Sequence, residues 1–340
     1  MRLSLVVDMH GCPNRCKHCW LGHMTNYKMN KEDDLKIIEY FQPYFKEVSY
    51  YSWLREPDYT DNYKERWERD NQISTLKPMR FELASFYRIV RDPKYIEFLK
   101  SVGTKKVQLT FFGLKEMTDK YVGRKNAFEE LLEATEILIE NKIAPRWQAF
   151  IHEENKEEIV ELLNLIDSLH LYDRCKSFGS EFKFFVHAGS CDGENRKLYP
   201  IRITHVPEKL IPYFLDYDLQ ETEQQLCTKL KDSQKHITFD YGDDLVLNIS
   251  NQMDVYFNYT HMTKEWRIGN IKEDSSLEIM RRIQESDIEA LRKTKEITIG
   301  ELIQRYGDIT SQRLFEESDY VNYLFNKYLE NTSENSMSLS

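Results

Sequence analysis

The chain has 340 residues, is 41% hydrophobic and 31% charged, and carries a formal net charge of −10. This is the composition of a soluble globular protein, long enough for one large domain or two. The acidic balance argues against an extended nucleic-acid footprint, which needs clustered Lys and Arg. No stretch approaches the roughly 18 consecutive apolar residues that a membrane span requires.

Residues 2–8 read as a strand that begins almost at the first residue, so no signal peptide is expected and the cytoplasm is the expected compartment. Directly after it stands Cys12-Pro13-Asn14-Arg15-Cys16-Lys17-His18-Cys19-Trp20, a C-x3-C-x2-C spacing followed by an aromatic residue. Leu35, Ile37, Ile38, Phe41 and Phe45 then recur at helical spacing. Residues 47–53 read as a second strand, 59–77 as helix plus loop, and 79–84 as a third strand. Asp92-Pro93 opens a helix, with Pro favourable in its first turn, and Gly103 closes it. Residues 106–112 are the clearest strand and 126–140 the clearest helix, with a broad apolar stripe. A fifth strand is expected at 145–151. Asn155 is the expected N-cap of a helix at 157–169, and a sixth strand spans 182–187. Six strands alternating with helices imply a parallel sheet with right-handed crossovers; an open six-unit barrel and a doubly wound sheet both fit.

Past residue 200 the rhythm changes. Residues 201–206 read as β-like and 221–231 as helix. Three short antiparallel strands are expected at 237–240, 244–249 and 254–259, with helices at 276–283 and 315–329. The predicted organisation is a barrel domain at 1–200, a smaller α+β extension at 201–330, and a disordered Ser- and Asn-rich tail at 331–340.

Three closely spaced cysteines can aim three thiolates at one metal centre. An iron–sulfur cluster usually takes four, so three leave one iron of a four-iron cluster open to a second molecule. The competing reading is a zinc-stabilised binding protein in which Cys12, Cys16 and Cys19 act structurally, with His10, His18 or His23 as fourth ligand. An odd number of tightly spaced cysteines without a signal sequence suits metal better than disulfides. Cys175, Cys191 and Cys227 read as small buried hydrophobes. Cys191, in Gly189-Ser190-Cys191-Asp192-Gly193 after the sixth strand, is also a candidate hydrogen donor.

The cysteine segment resembles the signature of the radical SAM superfamily. The resemblance implies a partial (β/α)6 TIM-like barrel and a [4Fe-4S] cluster on Cys12, Cys16 and Cys19. The open iron would bind S-adenosyl-L-methionine (SAM), whose reductive cleavage gives a 5′-deoxyadenosyl radical that abstracts hydrogen from substrate. Leu54-Arg55-Glu56-Pro57 stands where the family has a Gly-Gly-Glu-Pro turn, which makes Glu56 the candidate for the SAM ammonium. Thr110 falls on the family's fourth-strand Ser. Arg124 is a candidate for the SAM carboxylate and Trp20 for packing near the adenine. On the fifth strand Gln148, which shares a face with Arg146, is a candidate for hydrogen bonding SAM or substrate. Glu265-Trp266-Arg267-Ile268-Gly269-Asn270-Ile271 resembles the SPASM or twitch extension of peptide-modifying members. With Cys227 the only cysteine past residue 200, that extension is expected to be clusterless and to cover substrate. The partners implied are a peptide or small-molecule substrate and an electron donor such as flavodoxin or ferredoxin.

Overall fold

The computed structural model describes residues 2–8, 12–22, 31–51, 61–75, 84–190, 193–215, 221–239, 243–257 and 262–337. The elements before residue 190 are β1 (Arg2–Asp8), α1 (Lys31–Phe41), β2 (Glu47–Tyr51), α2 (Tyr63–Ile73), α3 (Phe86–Arg91), α4 (Pro93–Ser101), β3 (Lys106–Phe111), α5 (Lys115–Val122), α6 (Ala127–Glu140), β4 (Ala144–Phe150), α7 (Lys156–Ser168), α8 (Leu171–Ser177) and β5 (Lys183–His187). After it come β6 (Glu221–Thr222), α9 (Glu223–Leu230), β7 (Asp244–Ser250), β8 (Asp254–Phe257), β9 (Arg267–Asn270), α10 (Ser276–Gln284), α11 (Glu289–Thr294), α12 (Ile299–Tyr306), β10 (Leu314–Phe315) and α13 (Glu317–Met337). No helix of the described residues is long and apolar enough to cross a membrane.

The expected alternation of strand and helix holds, and the strands it connects are parallel. β3, β4 and β5 form one parallel sheet in that order. β1 pairs in parallel with β2. The third strand expected at 79–84 lies almost wholly outside the described residues. Along β3 burial alternates strictly: Val107, Leu109 and Phe111 face the core, while Gln108 and Thr110 face the other way. A strand's two-residue period makes one face apolar and leaves the other for chemistry.

The free edge of β1 is filled from far along the chain. β7 pairs with it in parallel from Arg2↔Asp244 to Asp8↔Ser250, then turns antiparallel to β8. The strand expected at 244–249 is therefore present, but its main partner is β1 and not a neighbour in the extension. An unpaired edge is a row of unsatisfied amides and carbonyls, and β7 satisfies it. Leu3, Leu5 and Val7 meet Leu245, Leu247 and Ile249 in one hydrophobic core, together with residues of α1 and α9–α13. A second core joins β3–β5 to residues of α2–α8. Burying each such side chain is worth about 1.5–3 kcal/mol.

Three expectations past residue 200 need correction, and two helices went unforeseen. Residues 202–206 are not a strand: Gly193–Ile201 is a 3₁₀ segment containing Pro200, and the segment after it meets β10 through Ile203 O, which accepts from Leu314 N–H at 2.9 Å, and through the Arg202 side chain. At 236–239 there is a single bridge, His236 to Thr298, and no strand. Helices α11 and α12 lie where no helix was expected. The tail is helical to Met337, because α13 continues past the apolar positions that anchor it.

One buried charge ties α1, β2 and α2 together. The Asp34 side chain, 1% exposed, accepts from Tyr50 Oη at 2.5 Å and pairs with Arg69, while Arg66 Nη2 lies 3.6 Å away. Removing one member of a buried charge group strands the others. Asp34→Ala is expected to cost about 3–5 kcal/mol in urea unfolding, and Asp34→Asn, which keeps an acceptor for Tyr50, distinctly less. A loss below about 1 kcal/mol for the alanine variant would show that the network does not hold these elements.

Candidate functional site

The cysteine loop is fixed by main-chain contacts on two sides. Towards α5, Arg15 N–H donates to Val122 O (2.9 Å) and Lys17 N–H to Tyr121 O (2.8 Å). α5 ends there on Gly123 in the left-handed region (φ +72°), and a Cβ at Gly123 would stand 2.7 Å from Arg15 O. On the other side Glu194 N–H donates to Cys19 O at 2.8 Å. Gly193 (φ +50°) approaches so closely that a Cβ would lie 2.3 Å from Trp20 O and 2.5 Å from Cys19 O. Both glycines are needed for conformation and for space. Within the loop, Cys19 N–H donates to Cys16 O (3.1 Å) and the Cys19 thiol to Gly22 O (3.4 Å).

Cys12, Cys16 and Cys19 are all partly exposed and none is in a disulfide. Among the described residues, no three His, Cys, Asp or Glu side chains converge into a ready-made metal site. Cys12, Cys16 and Cys19 are among those residues, so the loop carries three thiols on one short segment without drawing their side chains together. His18 packs against Phe112 and Phe150, ring centroids 4.7 and 4.3 Å away. Its Nδ1 is buried with no hydrogen-bond partner, and burial pushes the imidazole down to about 3, so it is neutral. His10 and His23 lie outside the described residues.

Arg124 is engaged with the loop itself. Its Nε donates to Asn14 Oδ1 at 2.9 Å, and its guanidinium pairs with Glu130 at 2.7 Å. Glu130 also takes both ends of the Arg91 fork. Burial works to raise the Glu130 carboxyl, but Arg91 and Arg124 outweigh it and hold it below the usual carboxylate range. The chain Arg91–Glu130–Arg124–Asn14 therefore braces the segment between Cys12 and Cys16 from α3 and α6.

The half-exposed strand face carries a second polar chain. Arg146 Nη2 donates to Gln108 Oε1 at 2.6 Å, and Gln108 Nε2 donates to Gln148 Oε1. Thr110 sits opposite Gln148 in the register. The expected pairing of Arg146 and Gln148 on one face is thus observed, with Gln108 bridging them. Phe112, the last residue of the strand expected at 106–112, lies beyond the end of β3. It is fully buried against His18 and Tyr121. Trp20 is partly buried, its carbonyl against Gly193. Glu56 and Cys191 lie outside the described residues; Cys191 is flanked by Ser190, whose carbonyl accepts from Asn195 Nδ2 (2.8 Å), and by Asp192 and Gly193.

Sequence reasoning missed the braces. Asn155 makes no side-chain cap. Its Oδ1 accepts from His152 N–H and its Nδ2 donates to Phe112 O and Phe150 O, locking the ends of β3 and β4 together. Asn14, Gly123 and Gly193 leave no signal beyond their residue types, because each acts on a segment distant in the chain.

His152, 3% exposed, lies beneath the loop with its ring 4.4 Å from that of Tyr121. Its Nδ1 accepts from Glu154 N–H (3.2 Å), so Nε2 carries the proton, buried and without a partner. Burial lowers this imidazole to about 4; Lys120 and Lys17 push the same way, and Glu154 and Glu153 pull against it. A histidine held neutral in the fold and protonated when unfolded makes stability rise with pH between its two pKa values. Stability is expected to fall as pH drops from about 6.5 towards 4, by at most about 1.4 kcal/mol per pH unit from this group. His152→Gln should flatten that part of the profile in thermal unfolding; an unchanged slope would contradict the assignment.

A family profile described as the radical SAM superfamily matches residues 6–166. The structure is similar to that of native anSMEcpe with bound AdoMet and Cp18Cys peptide, with a TM-score of 0.52 and 13% identity over 100% of both chains. It is equally similar to native anSMEcpe with bound AdoMet (TM-score 0.52, 13% identity, 99% of this chain and 100% of that one). No curated protein sequence matches significantly. At such identity the superposition speaks for the fold alone: a partial TIM-like barrel with its extension. Residues 6–166 thus match a radical SAM domain, and the enzymes of that superfamily use a [4Fe-4S] cluster and S-adenosylmethionine.

Proposed function

We propose that Cys12, Cys16 and Cys19 hold the [4Fe-4S] cluster, that SAM occupies its open iron, and that the substrate that loses a hydrogen atom is a peptide. The observation that carries this reading is the doubly pinned loop: three thiols outside disulfides at the end of β1, beside a polar strand face. That donor set fits a cluster needing three protein ligands. When bound, the cluster supplies the electron that splits the C–S bond of SAM, and the released fragment takes hydrogen from substrate.

The protein's own share is positioning. Arg124 acts through Asn14 on the loop and is a positioning residue in this reading. Thr110 and Gln148 present a hydroxyl and an amide towards SAM or substrate, Trp20 packs near the adenine, and Glu56 takes the ammonium. Cys191 returns a hydrogen atom to the substrate radical. Residues 201–330 cover the substrate. Cys227 is buried, with its thiol 3.3 Å from Tyr320 Oη, which supports an extension without a second cluster. The peptide class is supported by anSMEcpe, crystallised with AdoMet and the Cp18Cys peptide.

Anaerobic reconstitution followed by dithionite and SAM tests the reading. The protein is expected to turn brown, bind iron and sulfide in equal amounts, and release 5′-deoxyadenosine; alanine at Cys12, Cys16 or Cys19 should abolish all three. A colourless, zinc-loaded protein that leaves SAM intact would overturn it. Cys191→Ala should still cleave SAM but accumulate uncoupled product; normal product formation would remove Cys191 from the scheme. A peptide encoded by a short neighbouring reading frame should speed SAM cleavage, and no response would favour a small-molecule substrate.

Gly193→Ala is expected to lower iron incorporation several-fold with an unchanged far-ultraviolet circular dichroism spectrum, since its Cβ would displace the carbonyls of Cys19 and Trp20. Full iron content in that variant would show that this contact does not set the loop.

A further inference from the structure

We infer that the outer side of the cysteine loop is the docking surface for an acidic one-electron carrier protein. The inference rests on the functional reading above, because a cluster that splits SAM must be reduced first. Exposure changes residue by residue along the loop: Asn14 is buried, Arg15 exposed, Cys16 half-buried and Lys17 exposed, while His18 Nδ1 is buried against the barrel. The two exposed cations flank Cys16 directly, one Cα step of about 3.8 Å on either side.

The element that the loop packs on extends the patch. Lys17 Nζ lies 5.1 Å from the Tyr121 ring centroid and Lys120 Nζ 5.2 Å from the same ring. Lys125 is exposed just past α5, next to the Arg124 that binds Asn14. The nearby carboxylates do not cancel this charge. Glu154 pairs with Lys120 at 2.9 Å and accepts from Tyr121 Oη. Asp119, half-buried, is taken up by the amides of Asn126 and Phe128, from which it accepts. Arg15, Lys17 and Lys125 therefore remain as an exposed positive group on a chain of net charge −10.

A local field opposite in sign to the whole molecule selects acidic partners and orients them. A carrier seated on Arg15 and Lys17 stands against Cys16. The step is a single-electron transfer: the carrier, a reduced flavoprotein or iron–sulfur protein, is oxidised by one electron, and the cluster goes from the 2+ to the 1+ level. No bond is made or broken.

The test is stopped-flow reduction of the reconstituted enzyme by a reduced flavodoxin, with titration calorimetry of the same pair. Lys17→Glu/Lys125→Glu is expected to slow reduction at low salt at least tenfold, weaken binding in parallel, and flatten the salt dependence. Lys142→Glu, an exposed lysine at the end of β4 away from the loop, should change nothing, and dithionite-driven SAM cleavage should be the same in all three proteins. Native rates in the double variant, or an equal effect of Lys142→Glu, would overturn the assignment. If the double variant binds less iron, Lys125→Glu alone carries the kinetic test, with a several-fold effect expected. Failure of native protein to cleave SAM with dithionite would instead strike the functional reading, and the calorimetric comparison would still decide the surface.

Discussion

The structure depends on how one short loop is held from both sides. Residues 12–22 contain no helix or strand, so their shape is set by neighbours. On one side two amides of the loop meet the last carbonyls of α5, and on the other Cys19 O takes the amide of Glu194. Carbonyls at a helix C-terminus have no partner within the helix; here two of them serve the loop. Gly123 and Gly193 let the backbones approach to distances that any other residue would block. In the proposed reading, a loop held this way presents its thiols to the cluster from a fixed backbone.

The loop lies against the ends of β3 and β4 through His18, which packs on Phe112 and Phe150. The strands behind it bury one face and leave the other to Gln108, Thr110, Arg146 and Gln148. Buried polar side chains are costly unless bonded, and the Arg146–Gln108–Gln148 chain meets that demand. Beneath the loop His18, Phe112, Tyr121 and His152 form a run of ring contacts that is kept neutral by burial of its two imidazoles. An uncharged floor leaves the cations of the loop on its outer side, where the surface field forms.

What could be read from sequence was what is local. Three cysteines at fixed spacing state a metal chemistry by residue type, and α6 and β3 declare themselves by periodicity within one segment. The pairing of β7 with β1 could not be read, because it joins residues more than 240 positions apart and the alternation of residues 244–250 fits a parallel or an antiparallel neighbour equally. Ile201 and Ile203 alternate like a strand, yet Pro200 and the buried Arg202, whose Nε donates to Leu314 O at 2.6 Å, hold the segment irregular. The polar composition of residues 331–337 suggested disorder, but a helix already anchored by Tyr320, Leu324 and Phe325 runs on through them. Arg124 was read from sequence as a partner of the SAM carboxylate; its engagement with Asn14 and Glu130 depends on contacts that no pattern within the chain encodes.

Electron paramagnetic resonance of the anaerobic, dithionite-reduced protein with and without SAM tests the central claim most directly. A cluster held by three cysteines with one iron open should give a reduced iron–sulfur signal that changes in shape when SAM is added, and Cys16→Ala should remove it. A reduced protein with no iron–sulfur signal, or one whose signal is indifferent to SAM, would contradict the account.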